Sequence, residues 1–177
     1  MSSAYPSELE SEWQAPDGTP VTIRPIRPED EGIETAFVAS LTPESRYLRF
    51  MSALNELTPG MLEKFTHVDY ARDMALIAVV KDQERAVQIA VARYVLERDG
   101  KSCEFAIVVG EKWRGRGLGR HLLLRLVEIA RARGVKAMTG LVLSVNQNML
   151  AMAVELGFAI EDSPDDFSVK QLRLYLR

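Results

Sequence analysis

Cysteine occurs once in the 177 residues of this chain, at Cys103, which excludes an internal disulfide and a cysteine-rich zinc site. Histidine occurs twice, at His67 and His121, with no metal-ligand spacing to each other or to carboxylates, so no metal is assigned. Long apolar runs are missing too. The longest, residues 74–80, is far too short to cross a bilayer, and no membrane partner is expected. The opening MSSAYPSELESEW has neither a basic start nor an apolar stretch, so no secretory signal is expected and the expected compartment is cytoplasmic. Charge of one sign is not in excess: 22 basic and 25 acidic residues give −3, which argues against a nucleic-acid partner. What is present is the balance of an ordinary soluble protein, 47% hydrophobic and 27% charged, at a length that suits one domain over residues 1–177.

The small net charge conceals a local excess. Residues 112–136 hold eight bases and one acid, Glu128, so this stretch carries +7 and the rest of the chain −10. A basic block in an acidic chain suggests a site for a polyanionic small molecule; a solvated helix face gives the same pattern.

Along the chain, residues 1–18 read as a polar lead-in closed by the turn Pro16-Asp17-Gly18. Val21-Thr22-Ile23 alternates as a short strand. Pro28-Glu29-Asp30 opens a helix with Ile33, Phe37 and Leu41 on one face. Thr42-Pro43-Glu44 and Thr58-Pro59 each open another, with threonine as cap and proline in the first turn. Residues 74–80 form a strand covered on both faces. Residues 86–97 and 102–109 flank Asp99-Gly100, expected as a two-residue hairpin turn between antiparallel strands. A helix over about 117–133 follows, with Leu118, Leu122, Leu126 and Ile129 as its apolar stripe and Gly134 as its stop. Residues 136–144 form the next strand, which makes a strand-helix-strand crossover with parallel pairing. A helix over 146–156 ends at Gly157, and 158–160 and 168–176 are closing strands. The class is mixed α/β.

Trp113-Arg114-Gly115-Arg116-Gly117-Leu118-Gly119 stands at the strand-to-helix junction. Glycines permit positive φ and close backbone approach, and the helix aims free N–H groups and its positive dipole end at a ligand there. The stretch is built as a phosphate cradle. It is not a Walker loop, because no Gly-Lys-Ser/Thr follows, and it lacks the dinucleotide Gly-x-Gly-x-x-Gly.

Arg114-Gly115-Arg116-Gly117-Leu118-Gly119 resembles the Gln/Arg-x-x-Gly-x-Gly/Ala motif of the GNAT superfamily of acyl-CoA-dependent acetyltransferases. Asn146, eleven residues before Gly157-Phe158, resembles the asparagine and Gly-Phe of that superfamily's next helix. The stretches beginning at Arg24, Leu41, Asp69, Glu104 and Asn148 are similar to the bacterial protein-lysine acetyltransferases within it, over about residues 21–160. The resemblance implies a mostly antiparallel sheet of six to seven strands flanked by helices, with the parallel crossover at the cofactor site. It also implies acetyl-CoA as cosubstrate, its pantetheine arm lying where the strand before the loop splays from the strand after the helix. Val108 and Val109 would then bond the arm as an added strand does. The N–H groups of Arg114, Gly115, Arg116, Gly117, Leu118 and Gly119 would hold the pyrophosphate, and Asn146 would contact the cofactor. The Arg116 and Arg120 side chains are candidates for phosphate oxygens, or are simply solvated.

A lysine amine has an unperturbed pKa of about 10.4, so roughly one molecule in a thousand is nucleophilic at neutral pH. Attack on a thioester gains about 10²–10⁴-fold from a positioned base. Glu104 shares a strand face with Ala106 and Val108 beside the expected reaction centre, where apolar neighbours would raise its pKa. By itself it also reads as a solvent-facing glutamate near a hairpin; the resemblance of Glu104-Phe105-Ala106 to the catalytic glutamate segment makes it the expected base. Many superfamily members carry a tyrosine acid four residues before the Gly-Phe pair; this chain has Ala153 there, and solvent is left to protonate the thiolate. Cys103 is expected on the opposite face as an inert thiol, and Met149 and Met152 as core packing residues. Asp69, Tyr70 and Asp73 suit a substrate-side loop or plain turn roles, and Glu161, Asp162, Asp165 and Asp166 a solvated loop. The expected activity is N-acetyl transfer to a primary amine, with a protein lysine as preferred acceptor. A small amine or amino acid acceptor is the alternative, and a non-catalytic acyl-CoA sensor the alternative of another class.

Overall fold

The computed structural model describes residues 4–51, 54 and 56–177. Eight strands form one sheet: β1 Ser11–Gln14, β2 Pro20–Pro25, β3 Met74–Asp82, β4 Arg85–Leu96, β5 Ser102–Val109, β6 Ala137–Leu143, β7 Ala159–Asp162 and β8 Val169–Tyr175. Their order across the sheet is β1-β2-β3-β4-β5-β6-β8-β7. Every neighbouring pair is antiparallel except β5 with β6. The helices are α1 Glu31–Ser40, α2 Pro43–Phe50, α3 Pro59–Thr66, α4 Leu118–Ala132 and α5 Gln147–Glu155. This is the mixed α/β fold expected from the sequence, with eight strands where six to seven were expected.

The added strand is β1, inside the stretch that reads as a polar lead-in. Ser11, Glu12 and Gln14 give it no apolar alternation, so its order comes from tertiary partners. Trp13 pairs with Val21 and stacks on His121 of α4 at 6.1 Å between ring centroids. Arg125 of the same helix donates to the Leu9 carbonyl at 2.9 Å and to the Ser11 hydroxyl. The turn between β4 and β5 is also wider than a two-residue loop. Glu97 N–H bonds the Ser102 carbonyl at 2.8 Å, and Arg98-Asp99-Gly100-Lys101 makes the bend. Asp99 stabilises the longer form by accepting the N–H groups of Lys101 and Ser102 at 2.8 and 2.9 Å.

The sheet has two apolar faces. On one, Leu118, Leu122, Leu123 and Leu126 of α4 and Leu150 and Ala153 of α5 are buried against Leu76, Ala92, Tyr94 and Phe105. Cutting one such leucine back to alanine costs about 2–5 kcal/mol. On the other face, Phe37 and Val38 of α1 lie against Ile77, Val91 and Val108. The short helices α2 and α3 start as their sequences dictate: Thr42 and Thr58 accept the Ser45 and Met61 N–H groups at 3.1 and 3.2 Å.

One local feature positions the site. β5 and β6 pair only over Ser102–Ala137, Cys103–Met138 and Glu104–Thr139, then diverge. The next β5 residue, Phe105, lays its ring where a Cβ at position 140 would stand, 2.5 Å away, and tilts against Phe158 at 5.4 Å. Glycine at 140 admits the ring, and the ring sits where the two strands part.

Candidate active site

The parting leaves an open backbone edge on β5. Glu97–Ser102 and Gly110–Ile89 bonds mark the two ends of the β4–β5 ladder, so the even-numbered residues of β5 bond β4. The odd-numbered Ile107 and Val109 turn their N–H and C=O groups toward the gap. The backbone of Val108 therefore faces Val91 of β4, and its buried side chain faces α1. Of the two valines expected at the edge, Val109 lies on it and Ile107 takes the other place. Strict alternation from Glu104 would have identified Ile107.

The loop after β5 enters α4 through Gly115 and Gly117, whose φ angles of 73° and 88° are left-handed. Other residues are strained there. Gly119 lies in the first turn of α4, and a Cβ on it would stand 3.4 Å from Val109 Cγ2 and 3.7 Å from Met152 Sδ. A cavity of about 610 Å³ opens in front of this helix end, bounded by the β5 edge, the glycine loop and the start of α5. Trp113, Met149 and Met152 line it; the two methionines pack against the core, as expected, and also form part of this wall.

The candidate polar groups divide. Gly115, Gly117, Leu118, Gly119, Arg114, Arg120 and Asn146 line the cavity. The Arg114 guanidinium is already bonded to the Val109 carbonyl at 3.2 Å and the Ser45 hydroxyl at 2.7 Å. Arg116 is turned aside, paired with Asp17 at 3.2 Å and lying 4.8 Å over the Trp113 ring, and its side chain is not part of the wall. Asn146 caps α5 by accepting the Met149 N–H at 3.3 Å.

A second cavity, of about 520 Å³, lies on the α3 side of β4 and β5. Glu104 is on its wall and remains exposed, next to Ala106. Burial, and after it the charge of Glu97, push the Glu104 carboxyl above its ordinary value. Asp69, Asp73 and Glu97 line this cavity with Glu104, together with Arg49, Lys64 and Arg93. Tyr70 is a structural residue, buried with its hydroxyl donating to the Ile26 carbonyl. Asp73 also accepts the Leu96 N–H at 3.0 Å. Cys103 points to the opposite face, where burial pushes its thiol up to about 12. Ala153 is fully buried in the core. Asp162 and Glu161 pair with Lys170 and Arg173 on the neighbouring strand. Among the described residues, no group of His, Cys, Asp and Glu is placed to hold a metal ion, and no helix is long and apolar enough to cross a membrane.

Helix α2 ties the two cavities together. Glu111, just after β5, accepts the Thr42 N–H at 2.8 Å, and Arg114 reaches Ser45. Desolvation opposes the charged form of Glu111, but the Thr42 N–H and the Ser45 hydroxyl outweigh it and hold the carboxyl down at about 2. So clamped, α2 projects Arg49 between the cavities. Among the described residues, Arg49 alone lines both.

The family model described as "Acetyltransferase (GNAT) family" matches residues 42–158, from the α2 cap through the Gly-Phe pair. An acetyltransferase of Pseudomonas aeruginosa is 30% identical over 167 residues, covering 93% of this chain and 90% of that protein. Acetyltransferase Pat of Mycolicibacterium smegmatis is 31% identical over 136 residues, 76% of this chain and 40% of that protein. The crystal structure of the GNAT domain of S. lividans PAT superposes with a TM-score of 0.87 at 26% identity, covering 98% of this chain and all of that one. With the motif, the fold and the sequence agreeing over most of its length, the chain belongs to the GNAT family of acetyltransferases.

Proposed function

We propose that the chain transfers the acetyl group of acetyl-CoA to a primary amine, with an exposed protein lysine as acceptor, by direct attack in a ternary complex. The observation that carries this reading is the meeting of two cavities at Arg49, one bounded by the open β5 edge and a helix N-terminus, the other holding Glu104. The N–H and C=O of Ile107 and the N–H of Val109, whose carbonyl Arg114 occupies, bond the pantetheine arm along the edge, and the N–H groups of the glycine loop and the first turn of α4 take the pyrophosphate. Arg120 reaches the phosphates with its side chain.

The acceptor amine enters beside Asp69, Asp73, Glu97 and Glu104, a set of carboxylates that favours a cationic lysine. Glu104 takes a proton from the ammonium, directly or through one water, and the neutral nitrogen attacks the thioester carbonyl. The C–N bond forms, the C–S bond breaks, and solvent returns a proton to the coenzyme A thiolate, since Ala153 supplies none. The similarity to the Pat proteins supports a protein acceptor.

Glu104→Gln tests the base. Calorimetry is expected to give unchanged acetyl-CoA affinity, while turnover falls at least about tenfold. Turnover equal to wild type removes Glu104 from the mechanism. Mass spectrometry of lysate treated with the enzyme and isotopically labelled acetyl-CoA tests the acceptor: labelled lysines on proteins support the reading, and a single labelled metabolite points to a small amine.

A further inference from the structure

Arg49 is chemically out of place at the seam between the cavities. Among the described residues, no hydrogen bond or ion pair reaches its guanidinium, which packs only on aromatic faces, 4.7 Å from Phe50 and 5.9 Å from Phe65. The nearby buried carboxylate, Glu34, is committed to Arg93 at 3.5 Å. Desolvation and the charge of Arg93 push the Arg49 guanidinium down to about 10, partly offset by Glu34, so it stays charged at neutral pH. Two guanidinium groups thus share one carboxylate, and the unpaired positive charge lies where an acyl group must pass from thioester to amine.

The side chain is half-buried between two open cavities and keeps water in the free protein; an acetyl group that displaces this water leaves the cation without a partner. A carboxylate supplies one, through the paired N–H groups that the guanidinium presents in one plane. A lysine inside a protein brings a cation and no free carboxylate, and it enters beside four acids. The carboxylate therefore comes with the acyl chain. We propose that Arg49 is a specificity residue that selects a short dicarboxylic acyl-CoA, of the succinyl class, over acetyl-CoA. This rests on the reading of the first cavity as the acyl-CoA site and of the acceptor as a protein lysine. The transfer step is otherwise unchanged: the amine nitrogen displaces the thiol sulfur at the acyl carbonyl, Glu104 takes the amine proton, and the distal carboxylate remains on the product.

Calorimetry with succinyl-CoA and acetyl-CoA, and no acceptor present, tests the proposal on wild type, Arg49→Gln and Arg49→Lys. Wild type is expected to bind succinyl-CoA at least about tenfold more tightly than acetyl-CoA, with the ratio falling to about one in Arg49→Gln. Arg49→Lys keeps the charge without the planar fork and should retain part of the preference. A wild-type ratio of one or less overturns the proposal while leaving acetyl transfer intact. A ratio that survives in Arg49→Gln overturns it as well, and equal losses for both ligands show a general cofactor contact instead. Failure of wild type to bind either ligand overturns both this proposal and the reading of the cavity. If Arg49→Gln does not fold, Arg49→Lys and the wild-type ratio still decide.

Discussion

Glu104 combines two properties that ordinarily oppose each other, exposure to an incoming substrate and a carboxyl pushed upward by burial and by Glu97. Because the base acts deprotonated, kcat/KM is expected to rise with pH through an inflection above the ordinary carboxylate range. With a lysine peptide the amine adds a second rise at higher pH, near its own pKa of about 10.4. In Glu104→Gln the lower limb should vanish and the upper one remain; a lower limb that persists assigns it to another group. A raised carboxyl favours the folded state below the ordinary range and loses that advantage as pH rises, so Glu104→Gln should melt no lower than wild type at neutral pH. Sequence alternation put Glu104 and Cys103 on opposite faces, and the structure places them so. Arg49 was not legible. Its position depends on where α2 docks, and α2 is held by Glu111 and Arg114, 69 residues away from their partners Thr42 and Ser45.

Among the elements, the readable ones carry their own signals: the apolar run of β3, the stripe of α4, and the threonine caps of α2 and α3. β1 carries none, since Trp13 finds its partners on α4 and β2. The divergence of β5 and β6 has a local cause that the sequence shows only as Phe105 and Gly140. Gly→Ala in a strand interior ordinarily gains about 0.5–1 kcal/mol from reduced chain entropy. At Gly140 the new Cβ would meet the Phe105 ring at 2.5 Å, and overpacking of that kind costs about 1–3 kcal/mol. The clash wins, so Gly140→Ala is expected to lower Tm by several degrees, at about 2–4 °C per kcal/mol for a chain of this size. Acetyl-CoA affinity should fall with it, because the ring must move into the space where the strands part. An unchanged Tm would show that Phe105 has room to retreat.

At the scale of the molecule, the basic block of residues 112–136 pointed toward the cofactor cavity, but much of it is spent elsewhere. Arg125 holds the chain before β1, Arg133 reaches the Asp73 carbonyl at 3.3 Å, and Arg116 pairs with Asp17. Arg114 and Arg120 alone among these eight bases line the cavity. The +7 was therefore a signal of the right region and an overestimate of its field. Binding of acetyl-CoA should accordingly weaken by no more than about tenfold between about 50 and about 500 mM salt, where the screening length falls from more than 10 Å to a few ångströms. A loss of a hundredfold would mean that the whole block acts on the ligand.

An exposed strand edge is the usual place for one sheet to join another and begin an aggregate. This protein carries such an edge in the interior of its sheet, along residues 106–109. Phe105 closes it at one end and the Gly110–Ile89 bond marks the other, so the notch is only four residues long. A strand from another molecule needs a longer run to find its register and would have to part β5 from β6 to gain it, whereas a single thin chain needs no more than the notch offers. Reactivity toward foreign strands is thereby restricted by length, in a protein whose chemistry requires that an unsatisfied backbone be kept.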